Sequence, residues 1–263
     1  MSELVDLLEY VETKPRSRTT SALAVVPTYN ERENLSALIP AILRDSRFDV
    51  LVVDDNSPDG SAQVVEQIAR EYPARVHLLL RAGKLGLGTA YLDGFRWALA
   101  RDYDLICEMD ADFSHDPSVL PRLADATSCA DLVLGSRYVP GGKTLNWSRA
   151  RRFISQGGST YARLILGLDY HDLTGGFKCF RRTVLEALDL DSIESTGYAF
   201  QIEMTYRAHL AGFHVLELPI TFHERRAGHS KMNANIVTEA LAGVWRMRFS
   251  HSESSEFAKS HAS

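Results

Sequence analysis

Two carboxylates one residue apart, Asp110 and Asp112, follow the apolar run DLICEM. Where a strand is ending, side chains at that spacing reach one hard cation together. Such cations take oxygen ligands and keep substrate phosphates in their shell, so the pair fits Mg2+ or Mn2+ beside a diphosphate. The same carboxylates also suit a capped helix start at 114–117, and the two roles are compatible. Asp54-Asp55-Asn56-Ser57 closes a second apolar run, DVLVV. A carboxylate there either recognises a ribose or base or caps the following turn. Pro27-Thr28-Tyr29-Asn30-Glu31 closes a third run, LAVV. Gly83-Lys84-Leu85-Gly86-Leu87-Gly88 offers backbone N–H groups to a phosphate. It matches neither the P-loop nor the dinucleotide fingerprint after a first strand, and a glycine-rich strand-to-helix turn explains it better. Late in the chain, His223, Arg225, Arg226, His229 and Lys231 cluster in HERRAGHSKMN, either a solvated surface or a basic loop that closes on phosphate.

The elements that must position these residues follow from hydrophobic pattern. Short, nearly continuous apolar runs at 23–27, 49–55, 75–80, 104–110 and 131–135 read as strands buried on both faces. Helical patterns near 31–44, 60–72, 86–101 and 117–126 separate them. That alternation predicts an α/β fold, Rossmann-like, with a mostly parallel central sheet and flanking helices. Ligands in such folds bind beyond the carboxyl ends of the strands, so the clusters after strands one, two and four are predicted to share one edge. After Gly135 the rhythm changes: a Gly/basic loop at 139–150, a helix at 150–166, a DLTGGF turn at 172–177, a helix at 198–211 and a strand at 214–222. An amphipathic helix is predicted over about 233–249. Residues 1–20 read as a flexible leader and 250–263, low in apolar content, as a disordered tail.

The chain has 263 residues, 45% hydrophobic and 24% charged, which excludes a wholly disordered or fibrous protein. No apolar run is long enough to span a membrane, and the acidic N-terminus is no secretory signal. Cys107, Cys129 and Cys179 lack metal-ligand spacing, so reduced core thiols in a cytosolic compartment are expected. The net charge of -5 is uneven: 13 basic and 22 acidic residues lie in 1–136, against 16 and 12 in 137–263. From Leu132 to Leu168 there is no acid, while Arg137, Lys143, Arg149, Arg151, Arg152 and Arg163 fall there. The stretch is either a solvated face or an anion site; its start just after a strand end favours the anion site.

Taken in order, VVPTYNERENL, VVDDNSPDG, KLGLGTAY, EMDADFSHDP, GSRYVPGG, DLTGGFKCFRR, GYAFQIEM and HERRAGHSKM resemble the polyprenyl (dolichyl) phosphate mannose synthases. These are inverting glycosyltransferases of family 2 with a GT-A fold, and the likeness covers about residues 21–245. The resemblance implies that Pro27, Tyr29 and Glu31 line a guanosine pocket, with Val53 and Asp55 on the nucleoside. It implies that Asp110 and Asp112 bind Mg2+ or Mn2+ across the diphosphate, with the Ala111 backbone beside it. Arg225 and Lys231 would clamp the donor phosphates. Arg137, Arg151 and Ser155 would receive the phosphate of the lipid acceptor, in the acid-free basic stretch. Some relatives place Gln after the Asp-Ala-Asp unit; this chain has Ser114.

The implied reaction moves mannose from GDP-mannose to a polyprenyl monophosphate, with inversion. The acceptor oxygen is already anionic, so Asp110, Asp112 and Arg137 are the candidate catalytic groups and no base is assigned. The resemblance implies a peripheral protein on the cytoplasmic face of a membrane, with an integral-membrane partner as a candidate tether and no nucleic acid. Ile236, Val237, Ala240, Leu241, Val244, Trp245 and Phe249, with Arg246 and Arg248 nearby, suit either an interfacial helix or one packed on its own domain. The alternatives are a polyprenyl phosphate glucose synthase using UDP-glucose and a non-catalytic nucleotide-binding module. A dinucleotide oxidoreductase is disfavoured by the missing fingerprint, and an aspartyl phosphatase is weaker still.

Overall fold

A computed structural model describes residues 20–193, 195, 197–224 and 243–249. The apolar runs form β1 (Ala22–Thr28), β2 (Phe48–Asp54), β3 (Val76–Leu80), β4 (Leu105–Glu108) and β5 (Leu132–Ser136). Between them lie α1 (Arg32–Ile42), α2 (Ser61–Glu71), α3 (Leu87–Leu99), a 3-10 turn (Pro117–Val119) and α4 (Leu120–Ala126). Then come β6 (Lys143–Thr144), α5 (Arg149–Leu166), β7 (Lys178–Arg181), α6 (Arg182–Ala187), α7 (Gly197–Leu210), β8 (Val215–Pro219) and β9 (Thr221–Phe222). Residues 243–249 form a last helical segment, α8.

Seven strands make one sheet in the order β3-β2-β1-β4-β7-β5-β8, and β6 and β9 form a second, two-stranded one. β1 pairs in parallel with β2 and β4, β2 with β3, and β5 with β8. Only β7 in this sheet runs antiparallel to its neighbours, β4 and β5. The mostly parallel α/β prediction therefore stands, but the sequence pattern passes over β7, because KCFR is short and lies next to a glycine turn. The single strand expected at 214–222 is two. Pro219 carries no N–H, and after it the Ile220 N–H turns to the Ser136 carbonyl while β9 pairs with β6.

Alternate side chains of each strand feed two cores. Ala22, Ala24 and Val26 of β1 pack with Leu35, Leu38 and Ile39 of α1 and Leu123 of α4. Leu23 and Val25 pack on the other face with Tyr91 and Phe95 of α3 and Phe200 and Met204 of α7. α3 crosses the sheet closely at Gly94, where a Cβ would lie 2.4 Å from Val25 Cγ1. A third cluster joins Ala162 and Leu166 of α5 to Ala199, Ile202 and Tyr206 of α7 and to Val244 and Met247 of α8.

The leader, the tail and most of the helix expected at 233–249 lie outside the described residues. Cys107 and Cys179 are buried thiols on facing strand positions, whereas Cys129, expected in the core, is only half-buried.

Candidate active site

The ends of β1, β2 and β4 meet at one rim of the sheet, as parallel pairing demands. A cavity of about 400 Å3 opens there. Its wall includes Pro27, Tyr29, Glu31 and Asp55 on one side, Asp110, Ala111 and Asp112 at the floor, and Arg137, Arg151 and Ser155 on the far side. Ten of the thirteen site residues singled out from sequence, together with Ser114, thus face one space. Val53 does not: it lies within β2, before the strand end, and its side chain is fully buried in the core between the sheet and α3. Arg225 and Lys231 lie outside the described residues.

On the β2 side, Asp54 and Asp55 divide the two roles open to them. Asp54 accepts bonds from the Ser57 N–H (2.8 Å) and hydroxyl (2.6 Å), so it caps the turn. Asp55 accepts from Arg81 Nη1 at 2.6 Å. Arg81 is a buried cation that sequence reasoning missed; it also donates to Thr89 and the Gly86 carbonyl, and its Nε lies 3.0 Å from Asp93. Charge neutralised in this way leaves Asp55 as a fixed acceptor rather than a mobile one. Glu31 takes a bond from Asn34 Nδ2 at 2.7 Å at the start of α1. Lys84, from the glycine-rich turn, stands 4.4 Å over the Tyr29 ring and brings a cation into the cavity.

β4 ends at Glu108, two residues earlier than its apolar pattern suggests, and the chain bends past Asp112 with Phe113 at φ 60°. Asp112 Oδ1 accepts the Ser114 N–H at 2.9 Å, so the turn-capping role is met while the carboxylate still lines the cavity. The Asp110 side chain is 34% exposed. Its backbone N–H donates to Nδ1 of His115 at 3.2 Å. His115 is buried between Phe177, stacked at 4.7 Å, and Phe222. Burial, opposed by Asp112, pushes its imidazole down to about 4, so it is a neutral acceptor at physiological pH. The Tyr91 hydroxyl lies 3.5 Å from Asp110 Oδ1; burial first, then Asp110, Glu108 and Asp112, hold it well above the ordinary phenol range. Gly176 closes the floor: a Cβ there would sit 3.2 Å from Gln201 Nε2 and 3.9 Å from Asp110 Oδ1.

The donor set suits a hard divalent ion. Two carboxylates project from one strand end, and among the described residues no group of three His, Cys, Asp or Glu forms a closed metal site. Two such carboxylates could supply part of the shell of a hard divalent ion that also takes phosphate and water oxygens, as Mg2+ and Mn2+ sites on nucleotides do.

On the far wall, Arg137 has an internal partner as well as a place in the cavity lining. Arg137 is buried and bidentate on Asp172 (Nε 2.7 Å, Nη2 2.6 Å), and its Nη2 also reaches Thr174. Burial lowers its proton affinity, but Asp172 more than offsets this and holds the guanidinium above its ordinary range. Its Nε and Nη2 thus serve an internal partner, a pairing the sequence hid because Asp172 lies 35 positions away. Arg151 is different. Its guanidinium lies 4.2 Å over the Trp147 ring and 3.4 Å from Glu224, a longer and more exposed contact. Ser155 accepts the Tyr138 hydroxyl at 2.8 Å. α5 presents both residues because Ser148 caps its N-terminus, accepting the Arg151 N–H.

The chain matches the model of glycosyl transferase family 2 over residues 23–189. It is 52% identical over 226 residues to an undecaprenyl-phosphate mannosyltransferase of Micrococcus luteus, covering 85% of this chain and 92% of that one. It is 47% identical to a polyprenol monophosphomannose synthase of Mycolicibacterium smegmatis, covering 89% of each. Among solved structures, a Mycobacterium tuberculosis glucosyl-3-phosphoglycerate synthase with Mn2+, UDP-glucose and phosphoglyceric acid aligns with a TM-score of 0.62 at 17% identity, covering 92% of this chain and 82% of that one. A mannosyltransferase of Pyrobaculum calidifontis with GDP-Man and Mn2+ aligns with a TM-score of 0.54 at 15% identity, covering 98% and 87%. These neighbours share the GT-A architecture derived above. By the family model and by its similarity to these curated relatives, the chain belongs to glycosyl transferase family 2.

Proposed function

We propose that this protein transfers mannose from GDP-mannose to a polyprenyl monophosphate, giving a polyprenyl phosphate β-mannose. One observation carries the reading: the strand-end carboxylates Asp110 and Asp112 share a cavity with Arg151 and Ser155. A donor diphosphate and an acceptor phosphate therefore fit in one space. The names of the two curated relatives supply the polyprenyl acceptor and the sugar.

The nucleoside lies against Pro27, Tyr29, Glu31 and Asp55, and the diphosphate reaches toward Ala111. Asp110 and Asp112 would hold Mg2+ or Mn2+, which would supply charge screening for the diphosphate leaving group. Lys84 adds a cation on the same side, and Arg225 and Lys231 belong to the clamp. Arg151 and Ser155 receive the acceptor phosphate; a guanidinium matches phosphate oxygens in two-point fashion. Arg137 shapes that wall through Asp172 and Thr174. The acceptor is a phosphate oxyanion, so it needs orientation more than deprotonation. Holding it in line with the breaking bond supplies much of the barrier reduction. A single displacement inverts the α-linked donor.

The lipid tail leaves along the apolar end of the cavity, past Ile154, Tyr161, Tyr198, Ile202 and Val244. No described helix is long and apolar enough to cross a membrane. The outer face of α5 instead exposes Phe153 (80%) and Leu164 (72%), eleven positions apart and so on one side of the helix. Trp245 and Phe249 of α8 are also exposed. With arginines beside them and no acid over 132–168, these residues fit the surface of an anionic bilayer. The protein acts from that surface on its cytoplasmic side. The test is product analysis: GDP-mannose, Mn2+ and undecaprenyl phosphate should give a lipid whose anomeric carbon is β by NMR. An α-anomer would contradict direct displacement, and no lipid product would contradict the assignment.

A further inference from the structure

Beneath Asp110 the sheet buries two ionisable groups that the proposed reaction does not use. Glu108 of β4 and Lys178 of β7 stand opposite each other in register, and both are fully buried. Against burial, which raises it, the Glu108 carboxyl is held toward its charged form by Lys178 first and then by the side-chain amide of Gln201. Lys178 Nζ donates to the main-chain carbonyl of Gln201 at 2.5 Å. Removing an ion from water costs several kcal/mol, and a buried pair is often replaceable by apolar residues without loss of stability. Stability alone therefore does not account for this arrangement, whereas position does. Lys178 follows the Gly175–Gly176 turn that abuts Asp110 and Gln201. Gln201 lies in α7, whose Tyr198 and Ile202 line the cavity and whose Ala199, Ile202 and Tyr206 pack on α5. α5 in turn carries Arg151 and Ser155.

We propose that Lys178, with Glu108 opposite it, is a positioning residue for glycosyl transfer: by tying β7 to α7 it fixes the spacing between the carboxylates at the donor end of the cavity and the acceptor residues on α5. The proposal rests on the two-anion reading of the cavity given above. Nucleophile and anomeric carbon must be held about 3–3.5 Å apart, and a displacement of ~1 Å in such a site costs about 100-fold in rate. A loosened α7 leaves each binding wall intact while blurring the distance between them.

The experiment uses the full chain with Lys178→Met and Glu108→Leu combined, which removes both ionisable groups together. The expected double variant melts within about 3 °C of the wild type. Its KM for GDP-mannose changes less than about threefold, while kcat falls about tenfold or more. Amide hydrogen exchange speeds up across α7 and residues 175–177. Should that pair fail to fold, Lys178→Gln with Glu108→Gln carries the same expectations with hydrogen-bonding capacity kept. A folded neutral pair with wild-type kcat and unchanged exchange protection overturns the proposal. Exchange is read without any sugar nucleotide, so it decides the role of Lys178 even if the wild type transfers a different sugar.

Discussion

At Arg137 and Arg151 one residue type serves two purposes, and burial separates them. Arg137 neutralises a buried carboxylate, Asp172, whose side chain is wholly inaccessible. Its replacement by Ala leaves that charge unpaired, so we expect a stability loss of about 3–5 kcal/mol by chemical denaturation. Arg151 has only a partly exposed contact to Glu224. Arg151→Ala should keep the fold and the KM for GDP-mannose but raise the KM for polyprenyl phosphate about tenfold or more; equal losses for both substrates would place Arg151 at the donor. At the floor, Asp112→Ala should lower kcat by at least about 100-fold and weaken Mn2+ binding followed by electron paramagnetic resonance. Unchanged turnover would refute the metal assignment. Most of these residues were legible in the sequence because strand-end polar clusters need only local pattern to be seen. Arg81, Asp172 and Lys178 were not, since each acts through a partner tens of positions away.

Among the elements, α5 does most to connect chemistry to surroundings. Its cavity side holds Arg151 and Ser155, and its outer side exposes Phe153 and Leu164. Phe153→Ser combined with Leu164→Ser should cut binding to anionic vesicles about tenfold in co-sedimentation, with turnover of a short, water-soluble acceptor preserved. Retained vesicle binding would direct attention to α8 instead. The sequence left the last helix open between an interfacial role and packing on its own domain and did not single out α5; only the packing of α5 on α7 reveals which of the α5 apolar residues are left outside. α3 shows the opposite case, a helix held by closeness. Gly94→Val must push Val25 aside and should cost about 1–3 kcal/mol in thermal unfolding. β7 illustrates what periodicity misses: a four-residue strand buried on both faces has no alternation to read, and its antiparallel direction follows from the turn before it.

For the whole molecule, the parallel half of the sheet delivers carboxylates and the segment after β5 delivers cations, so the uneven charge along the chain becomes a division across the cavity. That division was legible in sequence as an acid-free stretch, but the inserted β7 that brings the two halves together was not. The central claim, that both anionic substrates meet there, is tested most directly by transfer of radiolabel into organic-extractable lipid. GDP-mannose and UDP-glucose would be compared, each with and without polyprenyl phosphate and with and without EDTA. The account predicts labelled lipid only from GDP-mannose, only with the acceptor, and only when metal is free to bind. Label from UDP-glucose would overturn the donor assignment, and transfer undiminished by EDTA or independent of polyprenyl phosphate would contradict the two-anion site itself.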